Sequence, residues 1–422
     1  MPMGSVLLRA RAVLSMTRPP IKNGAVLVSG NRIAAVGPWK DLSRHARAEV
    51  MDLGEMVLLP GLINAHCHLD YTDMAGQITR PRSFPDWIKE LLALKAQWSY
   101  SDYAQSWLRG AKMLLRTGVT SVADIEAVPE LLPEVWTATP LRIFSFLEMT
   151  GVKSHRAPEE ILHEALDRIE SLPSSAGSPG LSPHAPYSTP PELLRLSAEV
   201  ARNRNWRIST HVSESRAEFD MFMHRRGPLF NWLKSQRSMS DCGHSSPVQH
   251  LERHGLLSSN LLAIHVNYLL AGDASLLGNN GVSVVHCPRS HSYFGHDPFP
   301  RQELADARVN ICLGTDSLAS VHQDRHQSVE LDLFAEMRAF VSAKDVSAET
   351  ALQMTTVNGA RALGLSGSIG ELSEGAFADI IAVPVVQESD DLYAAVIHHT
   401  GDVAGSMING DWILKPQLVR SS

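Results

Sequence analysis

The 422 residues are 44% hydrophobic and 20% charged with a net charge of −7, and no Lys/Arg-rich block stands out, which argues against nucleic acid or an anionic membrane surface as a partner. The first ten residues lack the charged-then-apolar layout of a secretory signal, and no apolar run is long enough to span a bilayer. Four scattered cysteines (Cys67, Cys242, Cys287, Cys312) show no paired spacing, so reduced thiols in a cytoplasmic protein are expected.

Up to about Leu59 the chain reads as short β strands, at 24–28 and 32–37, with a turn at Ser29-Gly30-Asn31. An apolar run then passes Pro60-Gly61 and ends in His66-Cys67-His68. Side chains alternate along a strand, so His66 and His68 share one face while Cys67 takes the other. Two imidazoles at one strand end are half of a metal site; alone, they are equally a pair of surface histidines.

From residue 60 to about 365, strands alternate with amphipathic helical stretches, the pattern of βα units and a parallel sheet. Eight candidate strands end near His66, Ile125, Met149, His184, His211, His265, His286 and Asp316. Helices are expected at 102–116, 158–172, 191–203 and 329–341. Eight units predict an α/β fold closed as a (β/α)8 TIM barrel, with its active site at the C-terminal strand ends. An open doubly wound sheet would carry a Gly-rich phosphate turn after its first strand, and none is present. Residues 173–180 read as a loop, and 213–255 as a long excursion suited to covering a pocket. Beyond the barrel, 378–383 reads as a strand and 405–413 as a hairpin around Asn409-Gly410. A small β-sandwich domain built from 1–59 and 366–422 is therefore expected beside a barrel of 60–365.

The opening pair of histidines finds partners at other strand ends. His211 ends the fifth strand, and Asp316 follows the apolar stretch of the eighth. Three imidazoles and one carboxylate make a ligand set for one divalent metal, zinc or ferrous iron, with room for a water. Glu214 lies three residues after His211, and His265 ends the sixth strand. Each alone is an ordinary polar residue at a barrel rim; five at the strand ends of one barrel are a constellation.

Four motifs carry a resemblance: Pro60-Gly61-Leu62-Ile63-Asn64-Ala65-His66-Cys67-His68, Ser182-Pro183-His184-Ala185-Pro186-Tyr187, His211-Val212-Ser213-Glu214-Ser215 and Leu313-Gly314-Thr315-Asp316-Ser317. Together they resemble the amidohydrolase superfamily, above all its mononuclear aminohydrolases: deaminases of guanine, adenosylhomocysteine and aminodeoxyfutalosine, and triazine hydrolases. The resemblance spans nearly the whole chain. It implies that His66, His68, His211 and Asp316 bind one divalent metal, zinc before iron. It also implies that Glu214, His265 and Asp316 act in proton transfer and water orientation, that His184 contacts substrate, and that a homodimer is possible. Binuclear members carry a lysine at the fourth strand end, where this chain has Ser182-Pro183-His184-Ala185-Pro186. One metal and an aromatic ring substrate are therefore expected: hydrolytic release of ammonia from an aminated purine-like ring, of aminodeoxyfutalosine or adenosine type. The alternatives are removal of halide or amine from a triazine-like ring, and a non-catalytic scaffold.

The loop after the seventh strand reads Cys287-Pro288-Arg289-Ser290-His291, where many deaminases of this branch are asparagine-rich. With Phe84-Pro85-Asp86-Trp87 it looks most like aminodeoxyfutalosine deaminase. Arg289 has two readings: pairing with a substrate carboxylate or hydroxyl, or with a neighbouring rim carboxylate. Trp87 is read as an aromatic wall for a base or as packing. Glu126 and Glu148 are rim residues without an assigned role. Phe222, Phe230 and Trp232 are read as helix packing, with closure over substrate as the alternative. His322 and His326 follow Asp316 without suggesting a second metal, and Cys67 and Cys287 are expected to face away from the site.

Overall fold

A computed structural model describes residues 4–44, 48–78, 82–152, 156–173, 178–323, 329–343, 346–385 and 391–416. His326 and positions 174–177 of the expected loop lie outside the described residues. The first five strands are β1 (Ser5–Val13), β2 (Ile21–Ser29), β3 (Arg32–Pro38), β4 (Glu49–Asp52) and β5 (Met56–Pro60). Eight more follow: β6 (Leu62–Cys67), β7 (Val119–Glu126), β8 (Arg142–Met149), β9 (Ser178–Pro183), β10 (Ile208–Val212), β11 (Leu261–His265), β12 (Ser283–His286) and β13 (Asn310–Leu313). The last three are β14 (Ile380–Pro384), β15 (Gly405–Ile408) and β16 (Asp411–Leu414).

Strands β6 to β13 pair in sequence order, every pair parallel. Their residues are buried on both faces, as in Leu-Leu-Ala-Ile-His of β11, because helices cover the outside and side chains fill the interior. The covering helices start and stop on local signals. Tyr100–Arg116 opens with a Ser99/Asp102 capping box and buries Tyr103, Trp107, Ala111 and Leu114 on one face. Pro191–Arg204 starts on proline and ends at Asn205, which takes the left-handed conformation at φ 51°. The helix expected at 329–341 is Leu333–Ala343; the Asp332 carboxylate accepts from Phe334 N (2.8 Å) and delays its start. Strand β9 begins at Ser178, inside the expected loop, because Phe144, Ser145 and Phe146 of β8 pair with Ser178-Pro179-Gly180.

The barrel seam lies between β13 and β6. There Asp316 N donates to His66 O (3.1 Å), and Cys67 and Asp316 form a parallel bridge. The Asn64 side chain bonds Thr315 twice, donating to Oγ1 (2.8 Å) and accepting from N (3.1 Å). Gly314 makes this closure possible: a Cβ there would lie 2.7 Å from His66 O and 2.9 Å from His66 Cβ. Gly314→Ala is thus expected to push the eighth barrel strand off the first. It should cost about 1–3 kcal/mol by overpacking and weaken cation binding, as checked by urea unfolding and by metal content.

Both termini build the second sheet, ordered β16-β15-β14-β5-β1-β2-β3, with β4 also pairing with β1. β1 forks: Val6–Arg9 pair with β4, and Ala12 and Val13 with β5. The sheet encloses a cluster that includes Leu8, Val26, Ile33, Leu58, Ile380 and Met407. The expected hairpin is present, with Asn409 (φ 52°) and Gly410 (φ 84°) joining β15 to β16. β1 is not among the segments named from the sequence, although Arg9 and Arg11 alternate there with buried Leu8, Ala10 and Ala12. Their guanidiniums reach out to Asp52 and Glu55. The chain passes from one sheet to the other at Gly61, between β5 and β6. No helix among the described residues is long and apolar enough to cross a membrane.

Candidate active site

The polar residues that converge are at the C-terminal strand ends. His66 and His68 leave β6, His211 leaves β10, His265 ends β11, and Asp316 follows β13 by three residues. The backbone there is locally strained: Ser213, His265, Val266 and Asp316 have φ of 51°, 72°, 50° and 55°. For a β-branched valine this is a costly conformation, of the kind that gathers at functional sites.

His66 Nε2 and His68 Nε2 lie 3.6 and 3.7 Å from Asp316 Oδ1, and His68 Nε2 lies 3.4 Å from His211 Nε2. Two donor sets that include His66, His66/His211/His265 and His66/His68/Asp316, each fit within 4.8 Å, as does a third of Glu214, His265 and Asp316. Both ring nitrogens of His66 and Nδ1 of His68 are buried without a hydrogen-bond partner. Burial drives the imidazoles toward their neutral form. His68 and His265 are lowered to about 3, and His211 falls well below its usual value. Neutral imidazoles with open lone pairs beside a carboxylate are what a divalent cation needs, so the residues fit one.

The surroundings orient these donors. His211 Nδ1 faces the His184 carbonyl at 2.9 Å, which leaves Nε2 to point into the site. Asp316 Oδ2 accepts from Ser290 Oγ (2.7 Å) and Ser320 Oγ (3.2 Å), and Oδ1 accepts from Ser317 N (2.8 Å). Burial alone would raise Asp316, but the imidazoles of His66, His265 and His68 around it hold it low. Glu214 is the opposite case. Burial first, then the charges of Asp316 and Glu218, push it well above the carboxylate range. Its Oε1 lies 3.5 Å from His265 Nε2, and its backbone is fixed by Asn267 Nδ2 donating to O (2.9 Å) and by Glu218 Oε2 accepting from N (2.9 Å).

His68, His211, Glu214, His265 and Asp316 line a cavity of about 400 Å³. His184 and Trp87, both expected to meet substrate, also line it. His184 Nδ1 is 2.6 Å from Ser188 Oγ and its Nε2 is 3.7 Å from Glu148 Oε1. Trp87 packs edge-on to Phe294, and its indole N–H donates to Ala319 O (3.3 Å). Of Phe222, Phe230 and Trp232 in the excursion, only Trp232 lines the cavity. The cysteines are free and buried, and none lines it.

Arg289 is placed outside the cavity, in the rim-pair arrangement. Its Nε is 2.5 Å from Glu336 Oε1, its backbone N donates to Glu336 Oε2 (2.9 Å), and Nη2 donates to Glu330 O (2.9 Å). It does not line the cavity. The guanidinium neutralises a carboxylate that is 0% exposed, which is the rim-pair alternative. Its sequence neighbour Ser290 is the residue of that loop that reaches the site, through Asp316. Arg289→Ala is expected to cost about 3 kcal/mol by stranding Glu336, with KM for the best substrate unchanged. Chemical unfolding and steady-state kinetics check the two halves.

A family model described as the amidohydrolase family matches residues 57–413, and one for the bacterial imidazolonepropionase-like composite domain matches 24–46. The chain belongs to the amidohydrolase family. This amidohydrolase is 33% identical over 420 residues to a 5-methylthioadenosine/S-adenosylhomocysteine deaminase of Syntrophobacter fumaroxidans, covering 93% of this chain and 88% of the relative. It is 28% identical to a 5′-deoxyadenosine deaminase of Methanothrix thermoacetophila, covering 94% and 92%. In fold it matches a zinc-bound adenosine deaminase structure from Xanthomonas campestris with a TM-score of 0.84 at 24% identity, over 99% and 94% of the chains.

Four groups of the amidohydrolase site escape a reading of the motifs. Tyr71 stacks on His68 (centroids 5.2 Å apart) and receives a hydrogen bond from Lys95, and both line the cavity. Glu148 faces His184. Glu218, pushed up to about 8 by burial, holds the Glu214 backbone. Of these Glu148 is legible in the sequence only as a rim residue, and Glu218 leaves a trace as the last residue of Ser215-x-x-Glu218, where the Ser215 side chain caps the helix Arg216–His224.

Proposed function

We propose that this amidohydrolase is a cation-dependent hydrolytic deaminase of an adenine-type ring. The observation that carries the reading is two carboxyls at one cavity, Glu214 set 3.5 Å from His265 and Asp316 set against His66 and His68, which their surroundings push in opposite directions. Two titratable groups driven apart by their surroundings are the mark of an acid and a base. The similarity to deaminases of 5-methylthioadenosine, S-adenosylhomocysteine and 5′-deoxyadenosine supports the ring and the leaving group.

His66, His68, His211 and Asp316 would hold one divalent cation, zinc or ferrous iron by its donor set. When bound, such an ion lowers the pKa of a coordinated water toward neutrality. Asp316 takes a proton from the attacking water through a carboxylate oxygen. Glu214 donates its proton to the ring nitrogen beside the amine-bearing carbon, which makes that carbon electrophilic. His265, beside Glu214 and the imidazoles, hydrogen-bonds the incoming oxygen and steadies charge as the carbon becomes tetrahedral. The proton from water reaches the exocyclic amine, the C–N bond breaks, and ammonia leaves as the ring carbonyl forms. His184, held by Ser188, and Trp87 bound the space for the ring. Four buried free thiols suit a reducing compartment, and the cytoplasm is the proposed location.

The test is ammonia release from adenosine-type and guanine-type compounds, with triazines as controls, by protein reconstituted with zinc or ferrous iron. Ammonia from adenine nucleosides is expected. Turnover confined to triazines, or none on any ring, would overturn the reading.

A further inference from the structure

Resting on the deaminase reading, we infer that Asn267, backed by His291, is a positioning residue that sets the proton donor Glu214 against His265. The pairing of β10 with β11 ends at Val212 and His265. Beyond that pair the main chain gives two more bonds, Val266 N to Val212 O (3.0 Å) and Asn267 N to Ser213 O (3.0 Å). Glu214 is one residue further on, and there a side chain takes over: Asn267 Nδ2 donates to Glu214 O (2.9 Å). The amide acts as one more rung between the strand ends, where the Glu214 carboxyl lies 3.5 Å from His265 Nε2.

The backbone at this point needs an external hold. Ser213, His265 and Val266 have φ of 51°, 72° and 50°, the last two adjacent and one of them β-branched. Such a conformation persists only where its surroundings over-determine it. Asn267 is 4% exposed and uses both ends of its side chain. With Nδ2 donating to Glu214, Oδ1 is the acceptor that faces His291 Nδ1 at 3.1 Å, so His291 donates there. His291 lies on the helix Pro288–Phe294 after β12, next to the Ser290 that bonds Asp316. The loop whose Arg289 turns away from the cavity thus reaches the chemistry twice, through Ser290 to Asp316 and through His291 and Asn267 to Glu214. Glu218 Oε2 also accepts from Glu214 N (2.9 Å), but from the helix that Glu214 itself leads into, so it gives no reference to β11. Neither Asn267 nor His291 lines the cavity, and both act through Glu214 and not on substrate.

The experiment measures ammonia release from adenine nucleosides by the metal-loaded full chain. Asn267→Asp keeps the size of the side chain and an acceptor for His291, and sets an oxygen against the Glu214 carbonyl. It is expected to lower kcat about 30-fold with KM within about threefold, since misplacing a reacting group by about 1 Å costs on the order of 100-fold. His291→Phe keeps a ring and removes the donor, and is expected to lower kcat about fivefold. The deciding arm repeats both substitutions in a Glu214→Gln background. There each is expected to change the residual kcat by less than about twofold, because residues that act as one unit are not additive. The same fold-loss with and without Glu214 would mark a general structural fault and overturn the inference. So would a kcat within about twofold of the parent in both single variants. Should Asn267→Asp fail to fold, His291→Phe with its Glu214→Gln partner carries the same decision. No ammonia from any adenine nucleoside with the parent protein would overturn the deaminase reading itself, a failure seen before any substitution is made.

Discussion

Glu214→Gln is expected to lower kcat for ammonia release by on the order of 10³, with the bound cation still stoichiometric. The substitution keeps the shape and polarity of the side chain and removes only its capacity to give up a proton. The backbone that carries it is fixed independently, by Asn267 Nδ2 on its carbonyl and Glu218 Oε2 on its N–H, so the amide takes the same place. Glu214 shares a donor set with His265 and Asp316 but is outside both sets that include His66, and metal content is expected to hold. A role confined to the reaction predicts a fall in kcat with a small change in KM. A merely structural role predicts loss of metal or of thermal stability. Retention of turnover to within about tenfold of the parent would remove Glu214 as the proton donor.

The barrel was legible because its signal is repeated: eight apolar runs, six of them ending at a histidine or an aspartate, with capped helices between. Strand ends at Met149, His265 and His286 fall where alternation places them, and the ends near His66, His184 and His211 lie one residue from the observed strand limits. Sequence reasoning passed over β1, although its alternation is legible. What stays hidden is the pairing: its polar positions are arginines whose partners, Asp52 and Glu55, lie some forty residues on, and pairing across that distance leaves no local pattern. The site divides along the same line. His66, His68, His211, Glu214, His265 and Asp316 sit at strand ends, where topology alone brings them together. Tyr71 and Lys95 belong to the two helical segments after β6, and their convergence on His68 depends on how those segments pack. Arg289 had two chemically equal partners in prospect. Which one it takes is decided by Glu336, buried at its side from a helix nearly fifty residues away.

Removing the cation with a chelator is expected to abolish ammonia release and to lower stability without unfolding the chain. The donors do not depend on the ion for their places. Asp316 is held by Ser290, Ser317 and Ser320, and His211 by the His184 carbonyl. Far-UV circular dichroism of the stripped protein should therefore match the parent. What is lost is the binding free energy, about 4 kcal/mol when the free ion stands at a thousand times its dissociation constant, and Tm falls with it. Adding back one equivalent of zinc or ferrous iron should restore both activity and Tm. His66→Ala is expected to weaken cation affinity by more than about 100-fold, since loss of an outer partner of a ligand alone costs 10–100-fold. Cys67→Ala is the control, between two of the proposed ligands on the same strand. Its thiol meets Thr315 Oγ1 at 3.4 Å and lies in none of the donor sets, so this variant should keep its metal and lose about 1 kcal/mol. Equal metal loss in the two variants would show that disturbance of β6, and not the removal of an imidazole, empties the site. Undiminished ammonia release from chelated protein would overturn the cation requirement outright.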